Sequence, residues 1–129
     1  MIGKIALDSS VVIAFIKGED GVKQNIDNSE QVFLPIPVAG ELIYGALKSK
    51  RVEYNLMQNL SFINKTILVP CDFIVAEQYA KIRVHLYTRG TPIPENDIWI
   101  AACCLVKDVP LATRDVHFEK ITDLKIEKW

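Results

Sequence analysis

Four carboxylates of the chain stand beside apolar segments, where an acid without a partner is unusual. They are Asp8, Glu41, Asp97 and Asp115. If the fold brings them together, their charges repel one another unless protons or cations compensate. Hard divalent cations such as Mg²⁺ and Mn²⁺ prefer carboxylate oxygens together with water and phosphate oxygens. A cation held in this way lowers the pKa of a bound water and stabilises charge on a phosphate, which suits hydrolysis of a phosphodiester.

Two of these acids follow predicted strands. Asp8 comes directly after the strand predicted over Lys4–Leu7, and Asp115 follows the strand predicted over Leu111–Thr113. In α/β proteins with an open parallel sheet, ligands bind beyond the carboxyl ends of the strands, near the point where the strand order reverses. The two side chains therefore converge if these strands are neighbours. Each acid also has a structural alternative, since Asp8 is a good helix N-cap and Asp115 a good turn residue.

The other two acids belong to predicted helices. Glu41 lies in the helix predicted over Pro37–Lys48, with no basic residue three or four positions away and with glycines beside it. Asp97 opens the helix predicted over Asn96–Lys107, whose macrodipole favours the ionised carboxylate. The structural alternatives are a surface glutamate at Glu41 and a helix cap at Asp97.

The elements that must position these acids alternate between strands and helices. Short β-branched runs predict five strands, at Lys4–Leu7, Gln31–Leu34, Thr66–Val69, Leu111–Thr113 and Leu124–Glu127. Helical periodicity is found between them, at Val11–Ile16, Pro37–Lys48, Val52–Ile63, Val75–Leu86 and Asn96–Lys107. This alternation predicts an α/β fold with a parallel sheet covered on both faces.

Composition narrows the class of protein. The 129 residues are 50% apolar, with 15 lysines and arginines against 16 aspartates and glutamates, which excludes disorder and predicts one domain over residues 1–129. The longest apolar run, Ile98–Val106, is too short for a membrane span, and Asp8 interrupts the start before a signal-peptide core forms. Three cysteines, two of them adjacent, make a poor disulfide framework. We expect a soluble cytoplasmic protein with no membrane partner.

Other enzymes with acidic pockets on such sheets fit less well. A phosphatase of this type usually has a second acid two residues after the strand-end aspartate, where this chain has Ser10. A receiver domain needs a lysine after the last strand, and Lys125 lies inside it. A serine hydrolase would carry a Gly-x-Ser-x-Gly motif, which the sequence lacks.

Along essentially its whole length, the sequence resembles a PIN domain, and more narrowly the VapC ribonuclease toxins of bacterial and archaeal toxin–antitoxin pairs. Each motif is weak alone, but their order and spacing together are specific. The motifs are Leu7–Ser10, Gly40–Leu42, Asp97 with Ile100–Ala102, Thr113–Phe118 and the tail Leu124–Trp129.

The resemblance implies a three-layer α/β/α domain with a five-stranded parallel sheet in the order 3-2-1-4-5, and a Mg²⁺- or Mn²⁺-dependent endoribonuclease. Asp8 and Asp97 match the main metal-binding pair of the family. Glu41 and Asp115 match the acids that complete the pocket. Thr113 matches a polar residue that supports the site, and Ser10 is expected to do likewise.

The resemblance also implies a homodimer and a small VapB-like antitoxin that wraps the toxin and blocks its acidic pocket. For the RNA backbone, we expect contact at the basic junction of Lys48, Lys50 and Arg51. Arg114 is either a phosphate contact or a solvent-exposed residue.

Some relatives carry a further acid at the position of His117, two residues after Asp115. We expect His117 to be a loop residue that packs beside Phe118 rather than a metal ligand. The alternative to a nuclease is a non-catalytic PIN-like module that binds RNA or protein. Retention of all four mutually repelling acids argues against that alternative.

Overall fold

The computed structural model describes residues 2–129, in which strands and helices alternate. The strands are β1 (Ile2–Leu7), β2 (Ser29–Pro35), β3 (Ile67–Val69), β4 (Leu111–Ala112) and β5 (Ile126–Glu127). The helices are α1 (Ser9–Ile16), α2 (Asp20–Asp27), α3 (Ile36–Leu47), α4 (Val52–Ile63), α5 (Phe73–Thr88) and α6 (Glu95–Lys107), and a short 3₁₀ helix spans Val116–Lys120.

The strands form one sheet in the order β3-β2-β1-β4-β5, with every neighbouring pair parallel. This confirms the predicted fold class and strand order. Leu7 of β1 is in register with Ala112 of β4, and the ladder continues one residue further, where the Asp8 N–H donates to the Ala112 carbonyl at 3.0 Å. The chain leaves β1 toward β2 and later returns to its other side as β4. The switch point of the sheet therefore lies between β1 and β4.

The core follows from strands that are covered on both faces. Ile5, Ala6 and Leu7 of β1 are fully buried, which requires apolar neighbours on each side of the sheet. Crossovers between parallel strands are right-handed in nearly all proteins, so connections that run in opposite directions from β1 lie on opposite faces. Helix α6 is buried from Asp97 to Cys104, apart from Trp99. The buried cysteines Cys103 and Cys104 are free thiols, and they pack in this core as small hydrophobic residues.

The main differences from the sequence-based expectation concern α2, α5 and β5, while several other elements begin or end one or two residues from their predicted bounds. The sequence did not predict α2, because its polar run buries only Val22 and carries too few apolar residues for a visible periodicity. Helix α5 begins before Val75, because the Asp72 side chain accepts a hydrogen bond from the Val75 N–H at 3.1 Å and caps the helix there. Strand β5 is shorter than predicted, at Ile126–Glu127. Among the helices of residues 2–129, none is long and apolar enough to cross a bilayer.

Candidate active site

Asp8 lies at the carboxyl end of β1 and is also the N-cap of α1. Its Oδ1 accepts a hydrogen bond from the Ser9 N–H at 2.8 Å, and its Oδ2 accepts one from the Thr113 hydroxyl at 2.7 Å. The Ser10 hydroxyl is 3.4 Å from the same Oδ2. The cap expected as the structural alternative is therefore present, but it uses one oxygen and leaves the other facing β4.

Burial raises the pKa of Asp8 above its ordinary range, because a low-dielectric surrounding disfavours the charged form. The hydrogen bonds from Thr113, Ser9 and Ser10 oppose this shift, and repulsion from the Asp115 carboxylate adds to it. The Asp115 carboxylate is thus close enough to act on Asp8, as their positions at neighbouring strand ends predict.

Thr113 and Asp115 form the turn that follows β4. Thr113 is almost fully buried, and its N–H donates to the Glu127 carbonyl at 3.1 Å. Its hydroxyl oxygen accepts a hydrogen bond from the Asp115 N–H at 3.0 Å, while its proton goes to Asp8. The Asp115 Oδ1 then accepts from the His117 N–H at 2.9 Å and caps the 3₁₀ helix. The strand-end turn is real, and it also holds the Asp115 carboxylate near Asp8.

Glu41 lies in the second turn of α3, which follows β2 directly. Its Oε1 is buried and has no hydrogen-bond partner among the described residues. Burial raises the pKa of Glu41, and repulsion from the carboxylates of Asp8 and Asp97 raises it further. The nearby polar groups of Asn96 and Ser9 oppose this rise. An orphaned carboxylate oxygen of this kind is costly to keep without a proton or a cation. Glu41 is therefore not the ordinary surface glutamate of the alternative interpretation.

Asp97 lies in the first turn of α6 and is 9% exposed. Its own N–H donates to the Pro94 carbonyl at 3.0 Å, and the residue at the N-cap is Pro94, so capping is not its role. Burial raises the pKa of Asp97, and repulsion from Asp115 and Asp8 adds to the rise. The hydrogen bond with His117 opposes it.

The structure brings together the four acids that the sequence singled out. Each of Asp8, Glu41 and Asp97 has a raised pKa, for which burial is the first cause and other members of the group are a further cause. They reach this place from four elements that end or begin at the carboxyl edge of the sheet. A buried or half-buried group of carboxylates, three of which have raised pKa values, is suited to taking up a cation.

His117 is the residue whose surroundings the sequence did not predict. Its Nδ1 is 3.2 Å from Asp97 Oδ2 and 3.1 Å from Asp115 Oδ1, and one ligand atom from each of the three residues falls in a group within 4.8 Å. Phe118 is fully buried, whereas the imidazole is part-exposed and faces the acids. The expectation of a loop residue packed beside Phe118 is corrected accordingly. The only signal in the sequence was its spacing of two residues from Asp115.

Ser10 and Arg114 lie at the edge of the site. The Ser10 hydroxyl accepts a hydrogen bond from the Arg114 N–H at 3.3 Å, in addition to its long contact with Asp8. The Arg114 guanidinium forms an exposed ion pair with Glu19 and donates from Nε to the Trp129 carbonyl at 3.0 Å. The Arg114 guanidinium is thus engaged by Glu19, the residue that precedes α2, and by the tail, and among the described residues it forms no ion pair with the four acids.

The basic junction between α3 and α4 is exposed. Lys48, Lys50 and Arg51 all face solvent, with Lys48 4.8 Å from the centre of the Tyr44 ring and Arg51 4.1 Å from that of Tyr54. Lys48 is the C-cap of α3 and follows Glu41 by seven residues, a helical rise of about 10 Å. The junction therefore lies outside the acid cluster, at a distance that an RNA backbone can span.

A groove begins at Glu41, one of the four acids. It has a volume of about 370 Å³, and α1, α3 and α4 line it. Ser9 and Glu41 line its end at the acid cluster. Polar side chains also line the groove, namely the amides of Gln58 and Asn59 and the ammonium group of Lys17. The Asn59 amide donates to the Leu42 carbonyl at 2.8 Å, which ties α4 to the helix that carries Glu41.

Known proteins are similar to this chain in fold and in sequence. The model of the PIN domain family matches residues 5–124. The chain is 30% identical to the tRNA(fMet)-specific endonuclease VapC of Salmonella typhimurium, over 98% of each chain. It superposes on the DNA-bound VapBC structure from Salmonella typhimurium with a TM-score of 0.92 at 30% identity, covering 100% of this chain and 99% of the other.

A second solved structure that is similar to this chain comes from Mycobacterium tuberculosis. VapBC-5, a member of the VapBC family of toxin–antitoxin systems, matches with a TM-score of 0.77 at 25% identity, over 96% of this chain and 95% of that one. The matches run through all the elements that carry the four acids. The chain belongs to the PIN domain family and, within it, to the VapC ribonucleases.

Proposed function

We propose that the chain is a divalent-metal-dependent endoribonuclease that hydrolyses RNA phosphodiester bonds as the toxin of a toxin–antitoxin pair. The observation that carries this proposal is the set of four carboxylates at the switch point of the sheet, three of which have raised pKa values. The relationship to VapC ribonucleases supports the same activity. A binding module would have no use for acids that repel one another and destabilise the fold.

The residues present fit a hard divalent cation. The oxygen of Glu41 that is buried without a partner supports this fit, because a nearby positive charge would remove the cost of leaving it unpaired. Asp8 and Asp97 would hold Mg²⁺ or Mn²⁺, with Asp115 and Glu41 completing the donor set. All-oxygen donors of this kind are those that both cations accept.

When bound, the cation would supply an activated water and charge stabilisation on the scissile phosphate. The chain itself does the positioning. The Thr113 hydroxyl and the Ser9 N–H hold the two oxygens of Asp8 in one orientation, and Ser10 supports the same side chain. Glu41, at the wall of the groove, would orient the attacking water, and the groove would guide the RNA strand toward the acids.

The partners follow from the same function. Apolar side chains are exposed on α3 and α4, which supports a protein partner on this face. They are Tyr44, Leu47, Met57 and Leu60. Ile43, one helical turn before Leu47 on α3, is half-buried and packs against the core. We propose that the chain binds a VapB-like antitoxin and a second copy of itself as a homodimer. We also propose that it acts in the cytoplasm, where its RNA substrate is present.

The test is cleavage of RNA by the purified chain. We expect cleavage at defined positions in the presence of Mg²⁺ or Mn²⁺ and none in EDTA. Asp97→Asn should lower the rate by more than about 100-fold, since even residues that only support metal ligands cost 10- to 100-fold. Because the relative from Salmonella typhimurium is named for tRNA(fMet), this tRNA should stand first in a panel with ribosomal and messenger RNA.

The control for Asp97→Asn is its thermal unfolding, which should remain cooperative. Mapping RNA ends after brief induction in cells, with wild type beside Asp97→Asn, then identifies the target. If the variant cuts at the wild-type rate, the site assignment is wrong. If the wild type binds RNA and never cuts it with either metal, the non-catalytic module is the correct interpretation.

A further inference from the structure

The side chain of His117 adds a nitrogen to an otherwise all-oxygen cluster. We infer that His117 Nδ1 is a direct ligand of the divalent cation, together with Asp97 and Asp115, and that the site prefers Mn²⁺ to Mg²⁺ for this reason. The inference rests on the proposed metal-dependent function and specifies which ion that function uses. It adds a ligand at a position where we expected a loop residue packed beside Phe118.

The spacing of the three groups carries the argument. Ligand atoms that lie about 2.1 Å from a six-coordinate cation are about 3 Å apart at neighbouring positions. The His117 Nδ1 is 3.2 Å from Asp97 Oδ2 and 3.1 Å from Asp115 Oδ1. Both distances match the edge of such a coordination shell, and the three ligand atoms lie within 4.8 Å of one another.

The orientation of the imidazole is built into the fold. The His117 N–H donates to Asp115 Oδ1 at 2.9 Å, which starts the 3₁₀ helix. The next residue, Phe118, is fully buried and anchors this helix to the core. With the backbone held on both sides, the ring is directed toward Asp97 at the start of α6. Asp115 Oδ1 keeps a second lone pair, because a carboxylate oxygen has about two.

The competing explanation is a protonated imidazole that only neutralises the two acids. In that case His117 would take the place of a cation, and bound metal would displace it. Under our inference the imidazole instead binds through a neutral nitrogen. Imidazole nitrogen is a softer donor than carboxylate, and first-row transition cations accept it more readily than Mg²⁺, which keeps oxygen ligands and water. Among those transition cations, Mn²⁺ shares with Mg²⁺ the preference for carboxylate and water ligands that the rest of the cluster meets.

The experiment is pulsed electron paramagnetic resonance of the full chain loaded with Mn²⁺. A directly bound imidazole gives nitrogen modulation of the electron spin echo. The chain has two histidines, and the other, His85, contacts Thr122 and Arg89 away from the acids. We expect the modulation in wild type and in His85→Gln, and we expect its loss in His117→Asp and His117→Ala.

Calorimetric titration with each metal alone provides the second measurement. We expect His117→Asp, which restores an oxygen donor, to lower the ratio of Mn²⁺ to Mg²⁺ affinity by about tenfold or more. Bound Mn²⁺ without nitrogen modulation in the wild type, or modulation that persists in both His117 variants, would overturn the inference. The proposed function would survive that result as long as metal-dependent cleavage remained. A chain that binds neither metal and cuts no RNA would overturn both.

Discussion

The hydroxyl of Thr113 donates a buried hydrogen bond of 2.7 Å to Oδ2 of Asp8, across a sequence separation of 105 residues. The bond joins the ends of β1 and β4, on either side of the switch point. The same hydroxyl accepts from the Asp115 N–H. One side chain therefore sets the orientation of Asp8 and the start of the turn that carries Asp115.

Replacing Thr113 with valine keeps the shape of this side chain and removes both hydrogen bonds. We expect the free energy of unfolding to fall by about 1–3 kcal/mol, the cost of leaving buried polar groups unsatisfied. RNA cleavage should fall as well, because Asp8 loses its orientation. Thr113→Ser retains the hydroxyl and is the matched control. Denaturant titration and cleavage rates check the prediction, and a valine variant equal to wild type in both would contradict it.

Glu41→Gln should stabilise the metal-free protein at neutral pH. Burial raises the pKa of Glu41 in the fold, so ionisation is harder in the folded chain than in the unfolded one. Wild type therefore loses stability as pH rises through this raised pKa, and the neutral glutamine does not. In EDTA we expect a higher Tm for the variant at pH 7, with a difference that closes below about pH 4.5, the ordinary value for glutamate.

The measurement is thermal unfolding in EDTA across this pH range. Exposed Glu77 offers the matched control, since Glu77→Gln removes the same charge from a solvated site. A lower Tm for Glu41→Gln than for wild type at pH 7 would show that the carboxylate stabilises the metal-free fold, contrary to the prediction.

Charge reversal at the junction of α3 and α4 should weaken RNA binding. We expect the triple change Lys48→Glu, Lys50→Glu and Arg51→Glu to lower the slope of log K against log salt by about 0.7 for each RNA phosphate that the chain no longer neutralises. Binding is measured in the Asp97→Asn background, so that the RNA stays intact. Lys81→Glu, on an exposed position of α5, is the single-charge control. An unchanged slope in the triple variant would remove this surface from the RNA path.

Arg114→Ala should leave cleavage within a few-fold of wild type. Its guanidinium is held by exposed Glu19, and exposed ion pairs contribute little to stability. Cleavage rates of Arg114→Ala and Glu19→Gln should be alike, because both variants remove the ion pair. A slightly lower Tm is expected for Arg114→Ala, which also loses the hydrogen bond from Nε to the Trp129 carbonyl. A large loss of cleavage in Arg114→Ala alone would assign Arg114 to the substrate phosphate instead.

Much of the fold was predictable, because periodicity and turn residues act locally. Helix α4 was predicted at its observed bounds, Val52–Ile63, since its apolar spacing is regular. Helix α2 was not predicted, because a polar helix with one buried side chain leaves no periodic pattern of apolar residues. The two residues by which α5 begins before Val75 depend on the cap by the Asp72 side chain, which propensity alone does not reveal.

The sequence by itself determined the elements and the residue types that could do chemistry, since strand ends and helix starts are encoded within a few neighbouring residues. It singled out the four acids because each stands beside an apolar segment, at the end of a strand or within the first turns of a helix. Only the tertiary structure decided the direction of the imidazole of His117. That direction depends on the cap by Asp115, on the burial of Phe118 and on the arrival of α6 from another part of the chain, and no local pattern carries such long-range packing.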